Sequence, residues 1–345
     1  MQSVCRQSSN RIRVVAVVLE ASRMHLVCGE ALYDVFVESD EPGSTGEVAM
    51  RAVAGGSPFN VAIGMARLGA VVGFASDLAR DVLGDRLAVQ LMKEGITDQF
   101  LRRSASGTAL AIVTNDAAGK PSYRFSGLEQ ASYWPADDAV ERAEESISGI
   151  HVGSIATVLP ASSRSLLKLV RRFADRALVS LDPNVRLAIV PDGGTWRHAI
   201  EDLRSFSHVI KVSEEDLVAL YPDAKPEDVC RTWLDGRTAL VVLTRGADGA
   251  TMFTGSAGPV HIPAVHTRVV DTVGAGDSFM AALLAMLRRR GWHSANIVAS
   301  LDVPQLRALG GFAALAASVT CSRRGPMLPT AAELDAHREP PESCR

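Results

Sequence analysis

Aromatic residues are scarce in this chain: Phe, Tyr and Trp make up 5% of 345 residues. A site that stacks a nucleoside base against rings would have little to draw on. Cysteine is thin as well. Cys5, Cys28, Cys230, Cys321 and Cys344 are odd in number and far apart, with no CxxC pair. That spacing supports neither zinc binding nor a disulfide framework, and a reducing cytoplasm is the expected setting. The eight histidines form no HExxH pattern. Positive charge is not in excess, since the formal net charge is −3, so no global basic footprint argues for nucleic acid. The longest early apolar run, Val14 to Leu19, is too short to span a bilayer, and no membrane partner is expected. Glycine fingerprints are incomplete. GxxxxGK[ST] does not occur, and Gly274 and Gly276 are followed by Phe279 where a dinucleotide fingerprint needs its third glycine.

What is present is apolar content of 47%, enough for a large core in one big domain or two modest ones. No long linker divides the chain, so one α/β domain is expected over residues 24–337. Residues 1–23 differ in composition, with Arg6, Arg11, Arg13 and Arg23 against the single acid Glu20. They read as a disordered extension, or as sequence upstream of a start at Met24, in preference to a targeting peptide. Residues 338–345 read as a tail.

Short apolar runs alternate with helical ones from residue 150 onward. Strands are expected at Ile150 to Ile155, Ala177 to Leu181, Val209 to Val212 and Ala239 to Leu243. Helices are expected at Ser162 to Phe173, Trp196 to Leu203, Glu214 to Leu220 and Arg307 to Val319. This alternation argues for a parallel sheet covered on both faces. Earlier, Val27 to Val37 and Val71 to Ala75 read as strands. Val61 to Leu68 and Val82 to Lys93 read as helices. Segments 34–50 and 104–130 break the alternation. The second contains a hairpin pattern around Asp116-Ala117-Ala118-Gly119-Lys120, and both read as strands of a small second sheet.

The most informative stretch is Asp271-Thr272-Val273-Gly274-Ala275-Gly276-Asp277-Ser278-Phe279. A β-rich run, Val260 to Val270, leads in, and a helical run, Ser278 to Arg290, leads out. The glycines therefore sit where a helix begins, with unpartnered N–H groups and the positive end of the helix dipole. Glycine lets an anion approach the backbone closely. Asp277 stands beside that pocket, ionised at neutral pH if its pKa is the ordinary value of about 4. An anion hole next to a carboxylate suits attack on a phosphate by a hydroxyl that is losing its proton. By itself a GxGD turn could equally be a plain helix start.

The nine residues resemble the C-terminal signature of the ribokinase-like (PfkB) carbohydrate kinases. Gly55-Gly56-Ser57-Pro58-Phe59-Asn60-Val61-Ala62, followed by Ala66-Arg67-Leu68-Gly69-Ala70, resembles the N-terminal signature. The two occur in the expected order. The resemblance implies a three-layer α/β/α sandwich with a small β-sheet lid, and a sugar kinase that uses ATP and Mg²⁺. It implies Asp277 as general base and Gly274, Ala275 and Gly276 as the anion hole. Gly29-Glu30-Ala31-Leu32-Tyr33-Asp34 resembles a first-strand motif whose Asp binds sugar, so Asp34, Gly55, Gly56 and Asn60 are expected on the sugar side. Lys211-Val212-Ser213-Glu214 stands in place of the family's Asn-x-x-Glu motif. Glu214 would order Mg²⁺ through water, with Lys211 where the family has Asn. Thr244, Gly246 and Gly249 belong to the expected nucleotide-side loop, with Arg245 as a phosphate contact. Asp271 and Val273, with Ala317 to Thr320 and Gly325, would border the adenine and a monovalent-cation loop for K⁺. A homodimer through the lid is a family expectation.

Asp182-Pro183-Asn184-Val185-Arg186 and the Lys211 stretch resemble the fructokinase branch, with D-fructose as substrate. A 2-keto-3-deoxygluconate kinase is the close alternative. Its substrate carboxylate would need a cation, for which Arg124 and Arg186 are available. Two other classes stand further off. A non-catalytic sugar-binding regulator would not need an intact Gly274-to-Asp277 turn, and a dinucleotide oxidoreductase would need the missing fingerprint.

Overall fold

The computed structural model describes residues 23–37, 46, 48–115, 121–128 and 137–337. The N-terminal extension up to residue 22, the tip of the expected hairpin at 116–120 and the tail at 338–345 lie outside the described residues. Thirteen strands are present among the described residues: β1 Met24–Cys28, β2 Leu32–Val37, β3 Met50–Gly55, β4 Val72–Ala79, β5 Leu101–Ser104, β6 Leu110–Asn115, β7 Pro121–Ser126, β8 Ile147–Gly153, β9 Leu178–Asp182, β10 Val209–Ser213, β11 Leu240–Thr244, β12 Ala250–Thr254 and β13 Val260–Ile262. The helices are α1 Ser57–Arg67, α2 Val82–Lys93, α3 Asp137–Arg142, α4 Ser163–Phe173, α5 Gly193–Arg204, α6 Glu214–Leu220, α7 Pro226–Thr232, α8 Ala275–Arg289, α9 Ala295–Ala299, α10 Val303–Cys321 and α11 Ala331–Ala336. None is long and apolar enough to cross a membrane among the described residues.

Nine strands form one sheet in the order β13-β12-β11-β10-β9-β8-β1-β4-β5. From β11 to β5 every pairing is parallel, and β12 and β13 join antiparallel at one edge. Strands β1, β8 and β9 are buried along their whole length, as expected of parallel strands covered on both faces, and they carry His25, His151, Ser180 and Asp182 into that buried layer. One core layer lies under α1, α2, α8 and α10, and the other under α4 to α7. The three-layer architecture expected from the sequence is present. Beside it, β3-β2-β6-β7 form a separate four-stranded sheet.

Several local expectations need correction. The small sheet takes Met50–Gly55 as a strand, which runs past the expected 34–50 segment into the first glycine of the Gly55-to-Asn60 stretch; its burial alternates only weakly because one face of that edge strand is in solvent. Helix α1 starts at Ser57 and not at Val61, since Pro58 is accommodated in the first turn, where no N–H bond is lost. The run Val260 to Val270 is a strand only to Ile262. Pro263 follows, and Val269 and Val270 are exposed. Helix α8 begins at Ala275, which puts Asp277 in its first turn.

The chain order changes direction between β1 and β8. Strands β4 and β5 continue on one side, and β9 onward on the other. At such a switch point the loops leaving the carboxyl ends of neighbouring strands part and leave a crevice. Glu30 follows β1, Ser154 follows β8 and Asp182 ends β9, all at that crevice.

Helix α1 packs tightly on α8. A Cβ at Gly64 would lie 2.7 Å from the Ala281 Cβ and 2.5 Å from Leu328 Cδ2. The methyl of Ala281 cannot rotate away, so Gly64 sets the spacing of the two helices. Gly64→Val is expected to lower stability by about 1–3 kcal/mol through overpacking, read as a drop in urea midpoint; an unchanged midpoint would show that the helices can part without cost.

Candidate active site

A cavity of about 480 Å³ opens at the switch point. Its floor is the start of α8 with Thr272, Val273, Gly274, Gly276 and Asp277. One wall is polar, with Glu30, Asp34, Ser57, Asn60, Ser154, Asn184 and Arg186. Leu32 and Phe36 from β2, Val113 from β6 and Phe125 from β7 form an apolar cover, so the small sheet roofs the cavity.

Asp277 is buried. Ser57 Oγ donates to its Oδ1 at 2.7 Å and Asn60 Nδ2 donates to its Oδ2 at 2.8 Å. Both donors sit on the first turn of α1, which the close α1–α8 packing holds against α8. Burial raises the Asp277 pKa above the ordinary carboxylate value, while the bonds from Ser57 and Asn60 and the charges of Lys211 and Arg186 act in the opposite direction. The unperturbed value of about 4 expected from sequence is therefore corrected upward.

Gly274 caps α8 with φ 79°. A Cβ there would lie 2.7 Å from Pro326 Cβ, so both conformation and space call for glycine. The Ala275 N–H donates to the Thr272 carbonyl at 3.2 Å. Of the three residues read as an anion hole, Gly274 and Gly276 line the cavity and Ala275 does not.

Lys211 is almost wholly buried, with 5% of its side chain exposed, and its Nζ lies 3.0 Å from Asp182 Oδ2. A Cβ built on Gly276 would lie 3.5 Å from that Nζ, so the ammonium stands beneath the first turn of α8. Burial works against its charge, but Asp182, Asp216 and Asp277 hold its pKa above the ordinary lysine value. Burial pushes the Asp182 pKa up to about 6 in spite of Lys211. The Asp182-to-Arg186 loop is fixed by Asp216, whose Oδ1 accepts the Val185 N–H at 2.8 Å. Asn184 takes a left-handed conformation there, φ 43°.

Asp34 faces the cavity, and burial with the nearby Asp277 charge raises its pKa to about 6. Gly55 does not line the cavity. A Cβ on it would come within 2.4 Å of Asp34 Oδ2, so its part is to leave room for that carboxylate. Gly56 lines the cavity at φ 105°, packed on the Glu30 carbonyl. Arg124 lies next in sequence to Phe125 on β7 and is exposed. Strand alternation turns it to the outer face of the small sheet, which leaves Arg186 as the guanidinium in the cavity.

The residues expected on the nucleotide side stand apart from this cavity, around the carboxyl ends of β10 and β11. Arg245, read as a phosphate contact, is engaged by protein groups. Its Nε donates to Glu214 at 2.9 Å, and it also binds Glu227 and Thr251. Glu214 keeps 44% side-chain exposure beside that pair. Thr244 Oγ1 donates to the Val212 carbonyl at 3.4 Å. Gly246 has φ 52°, and Gly249 (φ 81°) leaves no space for a Cβ against the Ile262 carbonyl, so Gly249 serves the β11–β12 turn. Asp271 accepts the Val273 N–H at 3.0 Å and the Gly325 N–H at 2.8 Å. That carboxylate ties two loops together. Among the described residues no group of three or more His, Cys, Asp and Glu is placed to hold a metal ion. The donor set fits a divalent ion held mainly by phosphate oxygens and water, as is usual for Mg²⁺.

The sequence matches the pfkB family of carbohydrate kinases over residues 22–332. The chain belongs to that family. It is 30% identical over 284 residues to a fructokinase of Rhizobium leguminosarum bv. trifolii, covering 82% of this chain and 86% of the relative. Its fold is similar to that of a fructokinase from Xylella fastidiosa with bound ATP, with TM-score 0.80, 26% identity and coverage of 91% and 98%. A fructokinase from Vibrio cholerae O395 in fructose-, ADP- and calcium-bound form shares the fold at TM-score 0.76 and 24% identity, covering 92% of this chain and all of that one.

Ser57 and Glu30 belong to this carbohydrate kinase site without any local signal in the sequence. Ser57 stands three residues before Asn60 in the Gly-Gly-Ser-Pro-Phe-Asn stretch, and nothing nearby in the chain marks Asp277 as its partner. Glu30 stands in the Gly29-to-Asp34 motif, where only its last residue, Asp34, is expected to bind sugar. Glu30 is buried and accepts the Ala156 N–H at 3.3 Å together with a bond from Ser154. Burial, with a smaller push from Asp277, raises its pKa to about 7. Between the unfolded value of 4.5 and about 7 the folded state binds a proton that the unfolded state lacks. Stability from this group is full below pH 4.5 and is lost as pH rises through 7. Glu30→Gln should therefore gain on the wild type by up to about 3 kcal/mol between pH 4.5 and 8. Denaturant titrations at several pH values test this; a difference that stays flat with pH would mean that Glu30 titrates normally.

Proposed function

We propose that the protein is a fructokinase, converting ATP and D-fructose to ADP and D-fructose 6-phosphate. One observation carries this reading: a buried carboxylate, Asp277, lies between a polar sugar-sized wall and the glycine-lined start of α8. In this reading the primary hydroxyl of the sugar replaces one of the donors, Ser57 or Asn60, on Asp277. Asp277 takes the hydroxyl proton as the new O–P bond forms and the bond to ADP breaks. Its raised pKa makes it a stronger base than an ordinary carboxylate. Charge developing on the transferred phosphoryl is met by the backbone at Gly274 and Gly276 and by the Lys211 ammonium beneath them. Asp34, Asn184 and Arg186 orient the sugar hydroxyls. A divalent ion bound with ATP supplies neutralisation of the phosphates, with Glu214 holding its water, and Thr244 and Gly246 border the nucleotide. The roof of Leu32, Phe36, Val113 and Phe125 keeps water from the phosphoryl group.

The named fructokinase relatives favour fructose. Arg186 in the cavity keeps 2-keto-3-deoxygluconate as the second reading, since it offers a partner for a substrate carboxylate. The complete Ser57–Asn60–Asp277–Lys211 arrangement favours an enzyme over a sugar-binding regulator.

A coupled ADP-release assay with fructose, 2-keto-3-deoxygluconate, ribose and adenosine tests the proposal. Fructose is expected to give the highest kcat/KM; preference for the sugar acid would select the second reading, and tight sugar binding without turnover would select the regulator. Asp277→Ala is expected to lower kcat by roughly 10²–10⁴ with little change in sugar KM. Lys211→Met should cost about 10² in kcat. Near-wild-type turnover in either variant would remove that residue from the chemistry.

A further inference from the structure

A second cavity, of about 440 Å³, lies at the opposite end of the central strands, where β1, β4 and β8 begin. It is bounded by Arg23 just before β1, Val71 just before β4, Ser148 at the start of β8 and the far end of α8. Four arginines line it, Arg23, Arg288, Arg289 and Arg290, with His293 beside them. No carboxylate lines it among the described residues.

Cations in the last turn of a helix are favoured by its dipole, and this accounts for Arg288 and Arg289 on structural grounds. Arg289 also stacks over Phe312, with 5.1 Å from guanidinium to ring centre. The dipole does not account for Arg23 on the same cavity, and among the described residues no acid lines it to offset the four charges. Arg288 Nη1 donates to Ser148 Oγ at 2.7 Å, and Nη2 donates to the Arg23 carbonyl. Both partners are neutral. Burial accordingly pushes the Arg288 pKa below its ordinary value. A concave, low-dielectric wall carrying one sign of charge concentrates counter-ions, and guanidinium forks match phosphate oxygens.

We propose that this cavity is a binding site for a small molecule carrying several phosphate charges, separate from the catalytic cavity. Asp277 and Arg288 belong to one helix, and at 1.5 Å per residue they stand roughly 16 Å apart along it. The site is therefore distinct from the place where ATP would react.

Trp292 lies between two lining residues, Gly291 and His293, and reports on the cavity, whereas Trp196 and Trp233 are buried in the other core layer. Inorganic tripolyphosphate is titrated into the full chain at constant ionic strength, with the catalytic cavity saturated by a non-hydrolysable ATP analogue, and tryptophan emission is followed. A saturable change with a midpoint below about 1 mM is expected. In the double variant Arg23→Glu, Arg290→Glu the midpoint should rise by about tenfold or more, with thermal midpoint and basal sugar phosphorylation unchanged. Absence of a saturable change, an unaltered midpoint in the double variant, or an equal response to citrate at matched ionic strength would each overturn the proposal.

Discussion

Burying an ionisable carboxylate at the start of α8 is the constraint on which this molecule depends. Asp277 is withdrawn from water, which disfavours its charge by several kcal/mol unless other groups replace the lost solvent. The replacement is spread over the fold. Ser57 and Asn60 come from α1, Lys211 from β10 and Arg186 from the loop after β9. The helix end itself adds favourable partial charge. Each group is held by a separate structural feature, from the close α1–α8 packing at Gly64 to the Asp216 anchor under the Asp182-to-Arg186 loop. Stability and chemistry therefore share the same contacts.

Lys211 shows the same economy. Its partner Asp182 keeps it charged inside the protein, and Asp182 is itself raised to a pKa of about 6. Register puts His25, His151, Ser180, Asp182 and Lys211 on one face of the sheet, the face covered by α8. A polar seam so runs beneath an otherwise apolar helix, from Arg288 at one end to Asp277 at the other. His151 Nδ1 and Ser180 Oγ are 3.0 Å apart, and Ser180 Oγ also reaches the Ile150 carbonyl at 3.1 Å. A serine has a single proton to give. If it goes to the carbonyl, His151 carries its proton on Nδ1 and turns an unprotonated Nε2 to the interior.

The sequence was most readable where structure is local. Apolar runs in β8 to β11 marked a covered parallel sheet, and the nine residues from Asp271 to Phe279 marked a loop entering a helix. It was least readable where a residue's role is set by a neighbour that the chain brings in from elsewhere. Arg245 reads as a phosphate contact, and only the fold shows it paired with Glu214 and Glu227. Arg124 and Phe125 are adjacent in the chain, yet only Phe125 faces the cavity. Gly55 read as a sugar contact and instead makes room for Asp34.

The sequence by itself determined the α/β class, the small second sheet and the pairing of a glycine turn with a carboxylate, because each is written in a short stretch whose period or turn chemistry fixes its conformation. The tertiary structure alone decided which groups share Asp277 and what its proton costs. Ser57 and Asn60 are 220 and 217 residues away in the chain, and no local pattern encodes so distant a bond. The charge states of Asp277, Glu30 and Lys211 follow from burial, which belongs to the packed fold and to no single stretch of the chain.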